Sequence, residues 1–254
     1  MLSMHVECQD CHNPHAANSS SASAPSVSGR LVGVKGVTLG GSTISSSQYE
    51  YEICFRCHAD SPGKPVSNTT RQIEQNNVRL EFDTGNPSYH PIGGPGKNSN
   101  SPSLIAPTYS ESSVMYCTDC HASDGVSSPA GPHGSIYPSI LKMRYETADY
   151  TSESPAAYEL CYSCHDRASI LNNESFDDHD KHIRDLNTPC NACHDPHGIS
   201  SSQGNSTNNT HLINFDTDIV FPDNIGRFRF EDQGEFRGRC YLRCHGRNHP
   251  GWSY

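Results

Sequence analysis

The twelve cysteines of this 254-residue chain occur as six pairs, and a histidine directly follows each pair. Five pairs have the spacing C-x-x-C-H, and the last has one extra residue, C-x-x-x-C-H. C-x-x-C-H is the attachment sequence of c-type haem, in which two thioethers hold the porphyrin and the adjacent imidazole binds the iron. The first to sixth motifs therefore predict six covalently bound haem c groups. In chain order, the thioether cysteines are Cys8, Cys11, Cys54, Cys57, Cys117, Cys120, Cys161, Cys164, Cys190, Cys193, Cys240 and Cys244, and the proximal iron ligands are His12, His58, His121, His165, His194 and His245.

Other uses of paired cysteines fit this pattern less well. Zinc ribbons contain C-x-x-C pairs, but their ligand spacing needs no histidine directly after the second cysteine. A framework of disulfides would leave that position free as well. The histidine in all six motifs therefore favours haem.

The composition limits the kind of core that the chain can build. Hydrophobic residues make up 33% of the sequence, and the mean hydropathy is −0.67. A chain of this length normally buries a large apolar core, whereas this composition leans towards disorder. A porphyrin is a large apolar body, and burying a few hundred Å² of it contributes on the order of 5–10 kcal/mol. We therefore predict mostly irregular coil with short helices and a few β-hairpins, organised around six stacked haems, and an apoprotein that does not fold alone.

The charge and hydropathy also limit the partners. The formal net charge of −10 disfavours nucleic acid and anionic membrane surfaces. No apolar run approaches the length of a membrane span. Haem c is attached outside the cytoplasm, so we expect an exported, mature protein whose leader has been removed. Its expected location is extracellular or at the cell surface, with the periplasm as the alternative.

An internal repeat indicates how the motifs are organised. Residues 51–58 resemble residues 158–165, and each of these segments is followed by a second motif. A further histidine then lies in a near-identical setting, in residues 131–134 and 195–198. This repeat predicts two tandem two-haem modules.

The predicted organisation is one hexahaem domain over residues 1–254. Two-haem modules lie near 47–134 and 154–198, and half-modules occupy 1–46 and 199–254. Local patterns predict a strand or hairpin in 30–39, a strand at 228–230, and helices that start at Ser47 and at Ser154.

Nine histidines remain after the six proximal ligands, and six of them would suffice for bis-histidine ligation of every haem. By the repeat, His133 would serve the second motif and His197 the fourth. The third and fifth motifs would take His90 and His182, with His179 as a substitute for His182. The best candidates for distal ligands are His15, His90, His133, His182, His197 and His211, and the alternates are His5, His179 and His249.

The two ends of the chain leave the assignment open. By the module logic, His15 would ligate a haem of the sixth motif, either its own or that of a neighbouring subunit. The first haem could take His5, His211 or His249, which the sequence does not separate. A solution within one chain also exists, with His5 on the first haem and His211 on the last.

The set of motifs resembles a known family. A first motif of the form C-x-x-C-H-x-x-H, six haem motifs and little regular structure are similar to the OmcS-type extracellular cytochrome filaments of metal-reducing bacteria. The resemblance implies a polymer with a continuous stack of haems, in which His15 ligates a haem of the adjacent subunit. It covers the motifs and their order but not the loops. The chain is shorter than the hexahaem filament protein, and the C-x-x-x-C-H motif departs from its pattern.

Three functions are compatible with these features. The leading hypothesis is long-range extracellular electron transfer by a head-to-tail homopolymer, because such contacts form open helices when the rotation does not close. The alternative is a monomeric periplasmic or surface carrier that passes electrons between other redox proteins or to extracellular acceptors. A reductase needs an open axial position on one haem, and the surplus of histidines disfavours it. We therefore expect no enzyme and no catalytic residues.

Overall fold

The computed structural model describes residues 6–64 and 66–254, and most of this chain is turns and irregular coil. The helices are short, and the longest has nine residues. They are α1 (Cys8–Cys11), α2 (Glu50–His58), α3 (Val78–Glu81), α4 (Glu159–Tyr162) and α5 (Arg167–Leu171). Further single turns of 3-10 or π type lie at Gly29–Leu31, Cys117–Asp119, Pro138–Ile140, Lys181–Asp185 and Cys190–Ala192. Within the described residues, no helix has the length and apolarity that a membrane span requires.

The strands form three small antiparallel sheets. Two of the sheets are two-residue pairs, β1 with β2 and β3 with β4. In the third sheet, β8 pairs with β7 from Arg239 to Cys244, with a bulge between Cys240 and Tyr241, while β6 and β5 pair with the first and last parts of β7. The strands are β1 (Gly36–Val37), β2 (Thr43–Ile44), β3 (Ser88–Tyr89), β4 (Gly198–Ile199), β5 (Val220–Phe221), β6 (Arg229–Asp232), β7 (Gly238–Cys244) and β8 (Arg247–Ser253).

The buried apolar residues form three separate clusters, each in contact with motif cysteines. The largest fills the sheet of β5–β8 and packs against cysteines of the fifth and sixth motifs. The second surrounds α2 and touches Cys117 of the third motif. The third is built on Tyr158 and Leu171 and touches Cys161 and Cys190 of the fourth and fifth motifs. The small clusters thus lie where successive motifs meet.

The structure confirms the predicted fold class in its coarse form, and it moves some of the element boundaries. The strand predicted at 228–230 is confirmed as β6, which begins one residue later, and of the strand or hairpin predicted in 30–39 only β1 lies within that range. The helix expected from Ser47 begins three residues later, because Glu52 accepts the backbone N–H groups of Gln48 and Tyr49. The helix expected from Ser154 begins at Glu159, because the Ser154 hydroxyl caps only a preceding turn.

Candidate functional site

The first five motifs share one local geometry, a single helical turn. In four of them the backbone N–H of the motif histidine donates to the carbonyl oxygen of the first cysteine. These N–O distances are 2.8 Å for His12, 2.9 Å for His121, 2.9 Å for His165 and 3.0 Å for His194. The second motif lies within α2, which ends at His58. Because residues three and four apart share one face of a helical turn, this conformation brings both thiols and the imidazole together.

The sixth motif has a different geometry. Cys240 and Cys244 both lie in β7, and His245 follows in the tight turn before β8. His245 has a φ of 48°, in the left-handed region that non-glycine residues rarely adopt. The motif with the extra residue is therefore also the one whose backbone is extended.

The thiols of the first, second and third motifs lie close to one another. Burial raises the pKa of the Cys11 thiol, and the charges of Cys54 and Cys57 raise it further. A hydrogen bond with Cys54, together with burial, raises the pKa of Cys117 well above its ordinary value. The thiols of the first motif therefore lie near those of the second, and the second motif contacts the third.

The same order continues through the third, fourth and fifth motifs. Burial raises the pKa of Cys120 to about 12, with contributions from the charges of Cys164 and Cys161. Cys161 and Cys190 share a side-chain hydrogen bond, which raises the pKa of Cys190. The thiols of the fourth motif therefore lie between those of the third and fifth.

The last step joins the fifth and sixth motifs. Burial raises the pKa of Cys193, and the charges of Cys240 and Cys244 contribute further. Each motif thus lies near the next one along the chain, from the first to the sixth. All twelve cysteines are free thiols, as attachment to haem requires.

Several histidine rings face one another in pairs. An iron between two imidazoles leaves the ring centroids roughly 6 Å apart, since a metal–imidazole bond is about 2 Å long. Four ring pairs have separations in this range. They are His12 with His133 at 6.1 Å, His121 with His197 at 6.1 Å, His179 with His194 at 6.4 Å, and His182 with His249 at 6.3 Å.

The protein also orients the motif histidines. Nδ1–H donates to the Arg30 carbonyl from His12 (3.1 Å), to the Ser139 carbonyl from His121 (2.8 Å) and to the His211 carbonyl from His194 (2.9 Å). Such a bond fixes the tautomer and leaves Nε2 free for a metal. The donor set and its orientation therefore fit haem iron.

Burial favours the neutral form of His165, His194 and His179, which is the form that binds metal. It lowers the pKa of His165 to about 4, with a further effect from the charge of His90. It also lowers the pKa of His194 to about 4 and that of His179 to about 3. His90 thus lies near the fourth motif.

The ring pairs differ from the pairing that the repeat predicts. His133 faces His12 of the first motif, and His197 faces His121 of the third. The fifth motif has the alternate candidate His179 beside it. The repeat compares segments along the chain, whereas irregular coil brings rings together from distant segments.

The remaining candidates lie apart from these pairs. His15 is exposed, and its ring has no ring neighbour among the residues that the structure describes. The Nε2 atom of His211 is 3.6 Å from a carboxylate oxygen of Asp232. His5 lies outside the described residues.

A buried polar cluster around His197 escaped the sequence prediction. The Nδ1 atom of His197 is 3.0 Å from a carboxylate oxygen of Glu81, and Arg71 lies 3.7 Å from Asp195 beside them. Burial opposes the charge on His197, but the hydrogen bond to Glu81 and the charges of Glu81 and Asp195 together outweigh it and raise the pKa of His197. Glu81 and His197 are 116 residues apart, so no local motif joins them. The carboxylates of Glu81 and Asp195 and the imidazole of His197 are close enough to hold an ion. The same arrangement would also orient His197 as a ligand of haem iron.

Comparison with protein families adds an independent finding. A sequence model described as outer membrane cytochrome MtrC/MtrF-like, domains II/IV, matches residues 40–211. The matched region contains the second to fifth motifs and both members of two of the four ring pairs. Comparison with curated proteins and with solved structures gives no match.

Proposed function

We propose that this chain transfers electrons outside the cell through six haems in chain order. The chain belongs to the family described as outer membrane cytochrome MtrC/MtrF-like, domains II/IV. Membership indicates a multihaem cytochrome with covalently bound haem c, located outside the cell or at its surface. When bound, the haem iron supplies a one-electron couple whose potential the axial ligands and burial set. The count of six haems is part of the proposal.

The observation that carries the proposal is the close spacing of successive motifs in chain order. Cysteines of neighbouring motifs lie near enough to shift one another's pKa at every step from Cys11 to Cys240. Since each thiol holds the edge of a porphyrin, the order of the thiols favours the same order of haems.

The residues of this chain would give the first, third, fourth and fifth haems a closed coordination sphere. The histidines of the first five motifs supply one axial ligand each, and the facing rings of His133, His197 and His179 supply the second for the first, third and fifth haems. His90 is the candidate for the fourth haem. Two imidazoles on an iron leave no open position for a substrate, so we propose electron transfer without catalysis.

The test removes one haem from the middle of the series and one from its end. Cys117→Ala with Cys120→Ala deletes the third haem, and Cys8→Ala with Cys11→Ala deletes the first. Mass spectrometry should count six haems in the native holoprotein and five in each variant. In a protein film between two electrodes, loss of the third haem should reduce conduction far more than loss of the first. Equal losses would contradict a linear relay.

A second candidate is the filament that the sequence resemblance implies. It is favoured by the exposed position of His15, since a ligand for a neighbouring subunit has to be accessible. Electron microscopy of the holoprotein should then show helical filaments, and His15→Ala should disperse them with all six haems retained. Single particles from the native protein would leave the surface or periplasmic carrier as the function.

A further inference from the structure

We propose that the haem of the sixth motif takes His249 and His182 as its axial ligands, and that His245, the histidine of the motif itself, is not a ligand. The inference rests on the proposed function, because it presupposes a haem at Cys240 and Cys244. It concerns this chain's departure from the C-x-x-C-H spacing.

The register of the β7–β8 hairpin places His249 beside the two cysteines. Alternate residues of a strand share a face, so Cys240, Leu242 and Cys244 lie on the same side of β7. Leu242 is directly opposite His249 in the pairing of β7 with β8. Opposite residues of an antiparallel pair project to the same face. Leu242 is 5% exposed and His249 is 8% exposed, so this shared face is the buried one.

His249 and His182 are arranged like the pairs that contain a motif histidine. Their ring centroids are 6.3 Å apart, and the other pairs are 6.1–6.4 Å apart. The Nδ1 atom of His182 donates to the Asp178 carbonyl at 2.7 Å, and that of His249 is hydrogen-bonded to the Tyr254 hydroxyl. Both rings therefore keep Nε2 available, which is the atom that binds iron elsewhere in the proposed series.

His245 has the reverse arrangement. Its Nε2 is 2.8 Å from a carboxylate oxygen of Asp149, and its ring stacks on Tyr150 with centroids 4.6 Å apart. Its Nδ1 is buried and has no hydrogen-bond partner in the part of the chain described. Among the described motif histidines it alone has Nε2 engaged by another side chain. The carboxylate thus occupies the nitrogen that an iron would need.

The lengthened motif explains why the ligand changes. In a helical turn the histidine follows the second cysteine on the same face, so that it lies under the porphyrin. In β7 the next residue after Cys244 has already entered the turn, and the chain returns along β8. The middle residue of the motif is Leu242, and the residue of β8 that lies opposite it, on the cysteine face, is His249.

The test compares His249→Ala with His245→Ala in the haem-loaded protein. Mass spectrometry of a digest first shows whether the peptide with Cys240 and Cys244 carries a haem. We expect His249→Ala to convert one of six haems to high spin by electron paramagnetic resonance, and added imidazole to restore it. We expect His245→Ala to keep all six low spin. The opposite result, a high-spin haem in His245→Ala with none in His249→Ala, overturns the inference.

A second variant covers the case in which either substitution disturbs folding or haem attachment. His249→Met should keep the haem low spin, replace one histidine signature by a histidine–methionine signature, and raise one of six reduction potentials. Unchanged spectra and potentials in His249→Met overturn the inference. A native protein with only five haems instead contradicts the proposed count of six, which distinguishes the two failures.

Discussion

The first five motifs and the sixth use the same residue types but fold differently. The helical turns draw two thiols and an imidazole together within four or five residues, and their surroundings are coil. The sixth motif lies in the largest sheet, where β7 is fixed on both edges by hydrogen bonds. An extended chain separates residues four apart by about 13 Å, so both thioethers require the cysteine side chains to lean towards each other. The comparison shows that a haem motif takes its conformation from its neighbours as well as from its spacing.

The largest effect should come from removing the haems. The sheet region combines an apolar cluster, which includes Phe215, Val220 and Phe230, with continuous strand pairing, whereas the other two clusters lie among short helices and coil. Without haem we expect the coil around the first four motifs to lose protection from hydrogen exchange, and β6–β8 to retain part of it. Hydrogen exchange of the apoprotein measured by mass spectrometry checks this. Uniform exchange along the chain would show that the sheet also depends on haem.

The next effect tests the core of the sheet directly. Leu242→Ala removes a side chain that is 5% exposed between the two cysteines of the sixth motif. Large-to-small changes in a core cost about 2–5 kcal/mol. We expect the thermal midpoint of the sheet region to fall and the spectrum of one haem to broaden. The matched control is Ile225→Ala, whose side chain is 75% exposed and whose loss should change stability by less than about 0.5 kcal/mol.

The haem motifs and the coil-rich fold were predictable from the sequence, because both follow from local spacing and from the shortage of apolar residues. The strand at 228–230 was predictable as well, because its alternation of apolar and polar residues is a local pattern. The ring pairs were not, since His133 and His12 meet only through the path of the intervening coil. A periodic pattern is absent there, so nothing in the sequence encodes the contact locally. The support of His197 by Glu81 is equally non-local.

A smaller effect concerns the potential of one haem in the helical-turn region. The Glu81 carboxylate accepts the Nδ1–H of His197, which stabilises the more positive, oxidised iron that His197 would ligate. Glu81→Gln should therefore raise one reduction potential, by about 60 mV if the change in the equilibrium constant is tenfold. A potentiometric titration followed by absorption measures this shift. Glu111→Gln, at an exposed glutamate, is the control and should leave every potential unchanged.

The same residue predicts a pH dependence. Burial raises the pKa of Glu81, so its charge is lost at a higher pH than that of an ordinary glutamate. In the native protein the potential should rise as the pH falls through this raised pKa, because protonation removes the stabilising charge. The Gln variant should lack that step. A step of equal size in both proteins would assign it to another group.

The smallest effect concerns an ion pair beside the fourth motif. Glu153 accepts two bonds from Arg167, at 2.8 and 2.6 Å, and one from Tyr162 at 3.1 Å. We expect Arg167→Ala to cost about 1 kcal/mol, because a bidentate pair with a buried carboxylate exceeds an ordinary surface pair. Arg144→Ala breaks a more exposed pair with Glu146 and should cost less. Thermal unfolding of both variants measures the difference.

The pH dependence of that ion pair tests whether the helical-turn region loses stability separately from the sheet. The hydrogen bonds from Arg167 hold the pKa of Glu153 below its usual value. The stabilisation is therefore fully present above the pKa of an unfolded glutamate, about 4.3, and is lost as the pH falls through the lower folded value. The thermal midpoints of native protein and Arg167→Ala should differ at neutral pH and converge in acid. Because the pair joins the segment before α4 to α5, the early loss should be confined to the fourth motif. A simultaneous loss at the sixth motif would mean that the sheet and the helical-turn region unfold as one unit.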